Sequence, residues 1–508
     1  MRKTPRHFRL ILTLAVLAVF AVRLWRWANA ELWYDEAITL VNFAGAWHPR
    51  PLLGIFRDYS LANNHFLCTA IYWGWLKLVK ADQASEFLLR LPSLLAGFLT
   101  IFFVMCGWRR FLGTKFACLA ALLLACGPVY PAFAYQIRGY VFSLLLAVLA
   151  TAASADCVKE SNWRNQACLA VCSLLQVFLM PSAALLAPIL ALTIAMTRKF
   201  AGRGWKASLL PSLPMLGATA LGLAYYATLG PQLAAAAADA SSIAADLWTY
   251  PAIVRHLLTA SAVQLAVPLA VLSALILFKL LTTEESGRQA WSVNNSCLPI
   301  CLLFAVILGT AAALLLARFS RSLPFPRNFL LLLPPLAFAV CSLLRNAPHS
   351  QRLKLLPLAL AVLLWGCTVS AIAEKRTARE VANGENPQDL LCQYYRGETS
   401  NRQLVAWFAK ENLLHRTILL VSTLDGPTAA WYWHQADGED DSVCDRFAPV
   451  NFPEKPLAAR LAQSSSSLRF CSARNQVEAN FYGNCLQSRT LLPLEQPALP
   501  RRKLFRAL

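Results

Sequence analysis

The sequence has 508 residues, of which 57% are hydrophobic and only 15% are charged. Soluble domains carry about 25% charged residues, so the composition excludes an ordinary soluble protein and indicates a polytopic membrane protein. The net charge of +20 is concentrated in residues 1–373, which hold 30 Lys and Arg against 12 Asp and Glu. Because cytoplasmic loops of membrane proteins are rich in Lys and Arg, this surplus indicates positively charged cytoplasmic loops rather than a nucleic-acid partner. No motif for a nucleic-acid partner is present.

Apolar runs long enough to cross a bilayer, about 17–25 residues, recur up to about residue 373. Basic residues precede the first run, as in a signal peptide, but no small-residue cleavage site follows it, so we expect a retained helix. The segment 65–79 is shorter and rich in aromatic residues, and we expect it to lie on the outer membrane surface. The sequence therefore predicts a mainly α-helical protein with about eleven spans, near 8–28, 88–108, 116–134, 139–158, 166–180, 181–197, 208–229, 256–281, 294–317, 328–345 and 353–373.

The basic clusters define the expected orientation of these spans. We expect them all on the cytoplasmic side, at 1–9, 109–115, 198–206 and 345–354. Four segments then share the outer face: the loop 29–87, "YQIRGY" (135–140), the loop 230–255 and "RFSRSLPFPR" (318–327). Because the number of spans is odd, the C-terminal tail also lies outside.

The chain is expected to divide into a transmembrane catalytic domain, 1–373, and an extracytoplasmic domain, 374–508. The tail returns to soluble composition, and "NRQLVAWFAKENLL", "TILLVS" (417–422) and "GPTAAWYW" predict a helix, a buried strand and a further helix. A small α/β domain is therefore predicted. Its even number of cysteines predicts two disulfides with three pairings open. The four cysteines are Cys392, Cys444, Cys471 and Cys485.

An acidic pair, Asp35 and Glu36, follows the first span. One interpretation is a pair that caps an interfacial surface helix. The other is a catalytic pair, since an Asp at this boundary can take a proton from an incoming hydroxyl group. In the same loop, Asn64 and His65 enter the apolar segment 65–79, and they are either structural or part of a substrate-binding site.

Arginines form a second set of candidate residues on the predicted outer face. Arg138 lies between two spans, where an arginine either extends to the membrane surface or serves function, because burying it costs about 2.5–3.5 kcal/mol. A planar guanidinium group is the preferred bidentate partner of phosphate, so these positions favour a lipid-linked phosphate ligand. The predicted substrate-binding residues of the two segments are Gln136, Arg138, Tyr140, Arg318, Arg321 and Arg327.

Several strings resemble the GT-C fold glycosyltransferases in order and spacing. The likeness is to the bacterial branch related to protein O-mannosyltransferases, lipid A aminoarabinose transferases and rhizobial core galacturonosyltransferases. It covers residues 8–200 and continues more weakly through "PFPRNFLLLLPP", which is similar to a late-helix "PRY" signature. The strings are "WYDEAITL", "NNHFLCTAIYWGWLKL", "SEFLLRLPSLLAGFLTIFFVMCGWRRFLG" and "YQIRGYVFSLLLAVLA".

The resemblance implies a sugar donor carried on a polyprenyl phosphate and used on the outer face of the membrane. Asp35 then matches the catalytic aspartate of the family and Glu36 its acidic neighbour. His65 stands where many relatives have His-Pro-Pro, although both prolines are missing here. Relatives that bind a divalent metal use a second acidic residue near "YQIRGY", where this chain has Gln136 and Arg138, so neither a metal nor another cofactor is predicted.

The sequence thus predicts an inverting glycosyltransferase of the bacterial inner membrane. Asp35 would act as the base on an acceptor hydroxyl group of a lipid, glycan or protein. Arg138 and Arg327 would stabilise the departing polyprenyl phosphate. The alternative is a transporter or flippase of lipid-linked sugars, but transporters usually place polar residues near the membrane midplane, and here charge collects at one face.

Overall fold

A computed structural model describes most of the membrane part of the chain and several elements of the tail. In the strands and at some helix ends only the backbone is described. The described ranges are 5–59, 64–81, 83–127, 129–235, 293–319, 326–346, 401–414, 417–421, 426–437, 447–449, 468–473, 491–494 and 503–507.

The described residues are mainly helical, in agreement with the predicted fold class. Three 3₁₀ turns, Pro181–Leu185, Leu210–Ser212 and Pro326–Leu332, lead into helices. The helices are α1 Arg6–Ala28, α2 Tyr34–Ile38, α3 Leu52–Arg57, α4 Phe66–Leu76, α5 Glu86–Gly107, α6 Arg109–Cys126, α7 Val129–Ala134, α8 Gly139–Lys159, α9 Trp163–Leu179, α10 Leu186–Phe200, α11 Trp205–Leu209, α12 Leu213–Ala227, α13 Val293–Phe319, α14 Leu333–Asn346, α15 Asn401–Lys410 and α16 Gly426–Asp437.

Seven helical segments in the described part of the chain are long and apolar enough to cross a membrane, which makes this an integral, multi-pass membrane protein. The predicted spans 116–134 and 166–180 are not among them, because the first is divided between α6 and α7 and the second forms α9, which has only 17 residues. The predicted spans 256–281 and 353–373 lie outside the described residues. The segment 65–79 forms α4, which is too short to span a bilayer, as predicted. The membrane-length segments are Arg6–Trp25, Glu86–Gly107, Gly139–Lys159, Pro181–Phe200, Trp205–Ala227, Cys297–Leu315 and Phe329–Asn346.

The chain forms two compact units, and each unit consists of three separate stretches of the sequence. The first unit consists of Met1–Arg26, Leu53–Cys68 and Leu91–Ala371. The second consists of Trp27–Leu52, Thr69–Arg90 and Ile372–Leu508. The second unit therefore groups the described tail elements with two stretches of the loop that follows α1 and with the first turn of α5. The predicted domain boundary near residue 373 lies outside the described residues.

Side-chain contacts in the first unit distinguish the two ends of its helix bundle. At one end, His65 Nδ1 lies 2.7 Å from the carbonyl oxygen of Leu179, the last residue of α9. At the other end, Arg110 at the start of α6 forms an ion pair with Asp156 in the last turn of α8. His65, the end of α9 and the start of α8 thus lie at one end, and the basic segments 109–115 and 198–206 share the other. Which end faces the cytoplasm stays a prediction.

Glycine allows two of these helices to approach closely. A Cβ atom added at Gly222 in α12 would lie only 2.9 Å from Val177 Cγ1 in α9, a distance that real Cβ atoms do not show. Small residues serve this purpose in membrane helices, because the packing of backbones, rather than the exclusion of water, drives their association.

The described tail elements include a mixed five-stranded sheet in the order β2-β1-β3-β5-β4, which confirms the predicted α/β tail. Strand β1 pairs in parallel with β2 and β3, while β5 pairs antiparallel with β3 and β4. Helix α16 connects β1 to β2, as a parallel pair requires a crossover. Cys471 lies in β3, and the other three cysteines lie outside the described residues, so the disulfides stay a prediction. The strands are β1 Thr417–Val421, β2 Phe447–Pro449, β3 Leu468–Ala473, β4 Leu491–Leu494 and β5 Lys503–Ala507.

Candidate active site

Asp35 and Glu36 lie in the first turn of the short helix α2 and are buried, with 5% and 0% of their surface exposed. Glu36 Oε2 accepts a hydrogen bond of 3.2 Å from the backbone N–H of Trp33, so it does cap this helix. Thr39 donates its hydroxyl hydrogen to the carbonyl oxygen of Asp35 at 2.8 Å. Burial of two adjacent carboxyl groups is more than a cap on an exposed helix requires.

Arg90 is the partner of Glu36. Its guanidinium group, also fully buried, binds the carboxylate through two bonds, from Nε to Oε1 at 2.9 Å and from Nη2 to Oε2 at 2.6 Å. The same group donates to backbone carbonyls at the end of α1 and just after it, namely those of Trp27, Ala28, Ala30 and Glu31. Paired charges and satisfied donors make this burial tolerable. Arg90 therefore fixes the segment that leads to Asp35.

Arg90 is not among the site residues predicted from the sequence. It lies in the predicted apolar segment "SEFLLRLPSLL", 54 residues from Glu36. An arginine inside a membrane-length apolar run is itself a signal, because its burial is costly unless it is paired or functional.

In the first unit, His65 lies against the start of α8. Its ring centroid lies 5.5 Å from that of Tyr140. A Cβ atom at Gly139 would lie 3.0 Å from the Leu179 carbonyl oxygen and 3.2 Å from His65 Cβ, so glycine is what permits this approach. The predicted residues His65 and Tyr140 are therefore brought together.

Arg138 precedes α8 in an extended conformation, with φ −148° and ψ 157°. Its backbone N–H donates to the carbonyl oxygen of Gln136 at 2.8 Å, and the Ser93 hydroxyl group donates to the same oxygen at 2.7 Å. These two bonds hold the turn before α8 rigidly. The Arg138 side chain is 1% exposed, and its Cζ lies 5.7 Å from the Tyr140 ring centroid. A cation is thus buried near Tyr140, whose ring also lies against that of His65.

Gln136 and Tyr59 also lie in this part of the first unit. The Gln136 side chain donates to the Ala132 carbonyl oxygen at 2.7 Å, while its buried Oε1 accepts no hydrogen bond from the described residues. Tyr59, which the sequence analysis did not single out, is buried in the same region. Burial raises the pKa of Tyr59 to about 12, although the nearby Arg138 acts in the opposite direction. Its hydroxyl group therefore stays protonated at neutral pH.

Asn64 has contacts that stabilise its own loop. Its side-chain amide donates to the carbonyl oxygens of Ile55, at 3.1 Å, and of Asp58. These bonds join the residue before His65 to α3 and to the residue that follows α3.

The remaining predicted arginines are described in part. The turn Pro326–Leu332, which contains Arg327, packs against α8 and against the turn Pro181–Leu185. This places the backbone of Arg327 in the same unit as Arg138. Arg318 lies in the last turn of α13; the side chains of Arg318 and Arg327, and all of Arg321, lie outside the described part.

No three His, Cys, Asp or Glu side chains among the described residues lie close enough together to hold a metal ion.

Comparison with known proteins identifies the fold. No protein-family model and no curated sequence matches the chain. Its structure is similar to that of ArnT from Cupriavidus metallidurans bound to undecaprenyl phosphate, with a TM-score of 0.57 and 14% identity over 99% of both chains. The apo state of the same ArnT gives a TM-score of 0.52 and 12% identity over 98% of both chains. An Archaeoglobus fulgidus oligosaccharyltransferase gives 0.45 and 13% identity, over 94% of this chain and 71% of that one. The match to ArnT over its full length confirms the resemblance predicted from the sequence: the chain has the GT-C fold of membrane glycosyltransferases.

Proposed function

We propose that this protein transfers a sugar from a polyprenyl-phosphate donor to a lipid, glycan or protein acceptor on the outer face of a bacterial inner membrane. The observation that carries the proposal is the full-length similarity to ArnT bound to undecaprenyl phosphate. A fold hosts many functions, so the chemistry must come from the residues of this chain.

Asp35 is the proposed base. Its neighbour Glu36 has a structural role in this proposal, because its carboxylate forms the buried ion pair with Arg90. In the proposed step, Asp35 takes the proton of the acceptor hydroxyl group as its oxygen bonds to the anomeric carbon of the sugar. The bond from that carbon to the phosphate oxygen breaks, and polyprenyl phosphate leaves with the electron pair. Attack from the face opposite the phosphate inverts the configuration.

Arg138 is the proposed partner of the donor phosphate. The N-terminus of a helix carries partial positive charge and attracts anions. Arg138 adds a buried guanidinium group at this end of the 21-residue helix α8. Both features favour an anion such as a phosphate group. Stabilising the charge that develops on the leaving phosphate can lower a reaction barrier by a few kcal/mol.

The other predicted residues have supporting roles in this proposal. Tyr140 lies near Arg138, and His65 packs against Tyr140. Gln136 has one buried oxygen that a sugar hydroxyl group could satisfy. Arg327 is proposed to share the phosphate with Arg138, and Arg318 and Arg321 to contact the lipid headgroup. The tail, with its cysteines oxidised, is proposed to lie outside the cytoplasm.

Purified protein in lipid nanodiscs, supplied with a synthetic polyprenyl-phosphate sugar and extracts of envelope lipids and glycans, tests the function. The expected result is a new glycosylated product and free polyprenyl phosphate. Mass spectrometry of the envelope of a deletion strain would identify the missing sugar. Movement of the donor across a vesicle membrane, with no sugar transfer, would overturn the proposal in favour of a flippase.

A further inference from the structure

Two helices of the C-terminal segment bind the residues that precede Asp35 within the second unit. Tyr432 in α16 is 4% exposed, and its hydroxyl group accepts a 2.8 Å hydrogen bond from the backbone N–H of Leu32. The same group donates to Glu86 Oε1 at 3.0 Å. Tyr432 therefore joins the loop after α1 to the first residue of α5.

A second contact lies beside the first. The buried carboxylate of Glu31 accepts hydrogen bonds from the backbone N–H groups of Asn401, at 3.2 Å, and Arg402, at 3.0 Å. These N–H groups begin the ten-residue helix α15, where a carboxylate is favoured by both hydrogen bonding and the helix dipole. The Arg402 side chain reaches Glu86 Oε1 at 3.0 Å, so Glu86 binds both tail helices.

These contacts converge on the same backbone that Arg90 holds. The carbonyl oxygen of Glu31 accepts a hydrogen bond from Arg90 at 2.9 Å. Glu86 lies one helical turn before Arg90 on α5. Helix α16 also packs directly against α2, the helix that carries Asp35. The tail and Arg90 thus both hold residues 27–32, the short segment that precedes α2.

We infer that Tyr432 is a positioning residue for Asp35, and that the C-terminal segment is a structural part of the active site rather than a separate module. This inference rests on the proposed function of Asp35. Tyr432 acts through the backbone at Leu32 and through α2, and it need not touch the substrate.

The hydroxyl group of Tyr432 is suited to this role. Burial, followed by the carboxylates of Glu86 and Glu31, raises the pKa of Tyr432 well above its usual value. The group therefore keeps its proton and can donate to Glu86 throughout the physiological pH range.

Tyr432→Phe removes the hydroxyl group and keeps the ring. We expect kcat for sugar transfer to fall about tenfold, the factor that corresponds to about 1.4 kcal/mol and to one hydrogen bond with a charged partner. The donor Kd should stay within about twofold. The matched control is Tyr130→Phe, which removes a buried hydroxyl group that donates to the Gly97 carbonyl oxygen at 2.9 Å. The control should lose comparable thermal stability with unchanged kcat.

A double-mutant cycle separates positioning from general destabilisation. If Tyr432 acts through Asp35, Tyr432→Phe should have no further effect on the residual transfer by Asp35→Asn. A further tenfold loss in that background would overturn the inference while leaving the role of Asp35 intact. Full transfer by Asp35→Asn alone would instead end the proposed role of Asp35.

Hydrogen–deuterium exchange of the purified full-length protein gives a test that does not depend on activity. Amides in residues 31–38 should exchange faster in Tyr432→Phe than in the wild type, and those in Tyr130→Phe should not. Unchanged exchange in 31–38 of Tyr432→Phe would show that the segment is fixed without Tyr432, and would overturn the inference.

Discussion

Each end of helix α8 has a buried arginine beside it, and the surroundings of the two arginines differ. Arg138 directly precedes α8, and Arg198 belongs to α10. At the C-terminal end, Arg198 is 4% exposed and donates to the carbonyl oxygens of Cys157, at 2.8 Å, and of Ala207, at 3.2 Å. At the N-terminal end, Arg138 is 1% exposed, and its Cζ lies 5.7 Å from the ring centroid of Tyr140.

The difference is one of electrostatics. A cation at a helix C-terminus is stabilised by the partial negative charge of the last carbonyl groups, whereas at the N-terminus it is repelled. Arg198 therefore stabilises the C-terminal end of α8, whereas a cation at the N-terminal end gains no stabilisation from the helix dipole and is better placed to bind an anion. Residues that break a local rule of stability are expected mainly at functional sites. We therefore interpret the end of the bundle with Arg198 as structural and the end with Arg138 as part of the proposed site.

The largest effect should come from Asp35→Asn. If Asp35 is the base, transfer should fall by about 10²–10⁴, the usual contribution of general base catalysis, while donor binding survives. The control, Asp156→Asn at the structural end, removes a partly exposed ion pair with Arg110. Such pairs contribute about 0–1 kcal/mol, so this control should transfer sugar normally. Equal kcat values for the two variants would remove the catalytic assignment of Asp35.

The buried pair of Arg90 and Glu36 should have the next largest effect. Arg90→Met leaves the Glu36 carboxylate buried without its partner, which typically costs about 3–5 kcal/mol of folding free energy. Thermal unfolding in detergent measures this loss. The double variant Arg90→Met with Glu36→Leu removes both charges and should be more stable than Arg90→Met alone. If the double variant were the less stable, the ion pair would not be the dominant interaction of Arg90.

Arg138→Ala and Arg198→Ala test the comparison directly. Hydrogen bonds to charged groups contribute about 1.5–3 kcal/mol, so Arg138→Ala should weaken donor binding about 10–100-fold. Arg198→Ala should lower the Tm and leave donor binding unchanged. The shift in Tm on adding undecaprenyl phosphate measures binding by mass action. If both variants kept that shift, the phosphate site would lie away from Arg138.

Features of the fold that depend on one continuous stretch of sequence could be predicted. The membrane-length segments depend only on run length and hydropathy, and Pro181 marks the break between α9 and the following turn as expected. Strand β1 and helices α15 and α16 also form where the tail patterns place them. Asp35, His65 and Arg138 could be chosen because polar residues in apolar surroundings are rare.

Pairing between distant residues could not be predicted in this way. Leu32 and Tyr432 are 400 positions apart, and no local periodicity links them. For the same reason the sequence suggested a catalytic role for Glu36 but did not indicate its bond to Arg90. Contacts of this kind are set by how the helices pack, and a single sequence carries no direct record of them.

The smallest effect, and the one most specific to the geometry beside Arg138, should come from Gly139→Ala. The new Cβ would meet the Leu179 carbonyl oxygen and His65, so the start of α8 must shift. Overpacking of this kind costs about 1–3 kcal/mol. Gly217 in α12 is the matched control, because nothing lies within 4 Å of a Cβ built there. Gly217→Ala should instead stabilise its helix by about 0.5–1 kcal/mol, since alanine loses less backbone entropy than glycine on folding. The two variants should therefore shift the Tm in opposite directions, and only Gly139→Ala should also weaken binding of undecaprenyl phosphate. A rise in Tm for both would mean that α8 and His65 can separate at no cost, and their close contact would then play no part in the site.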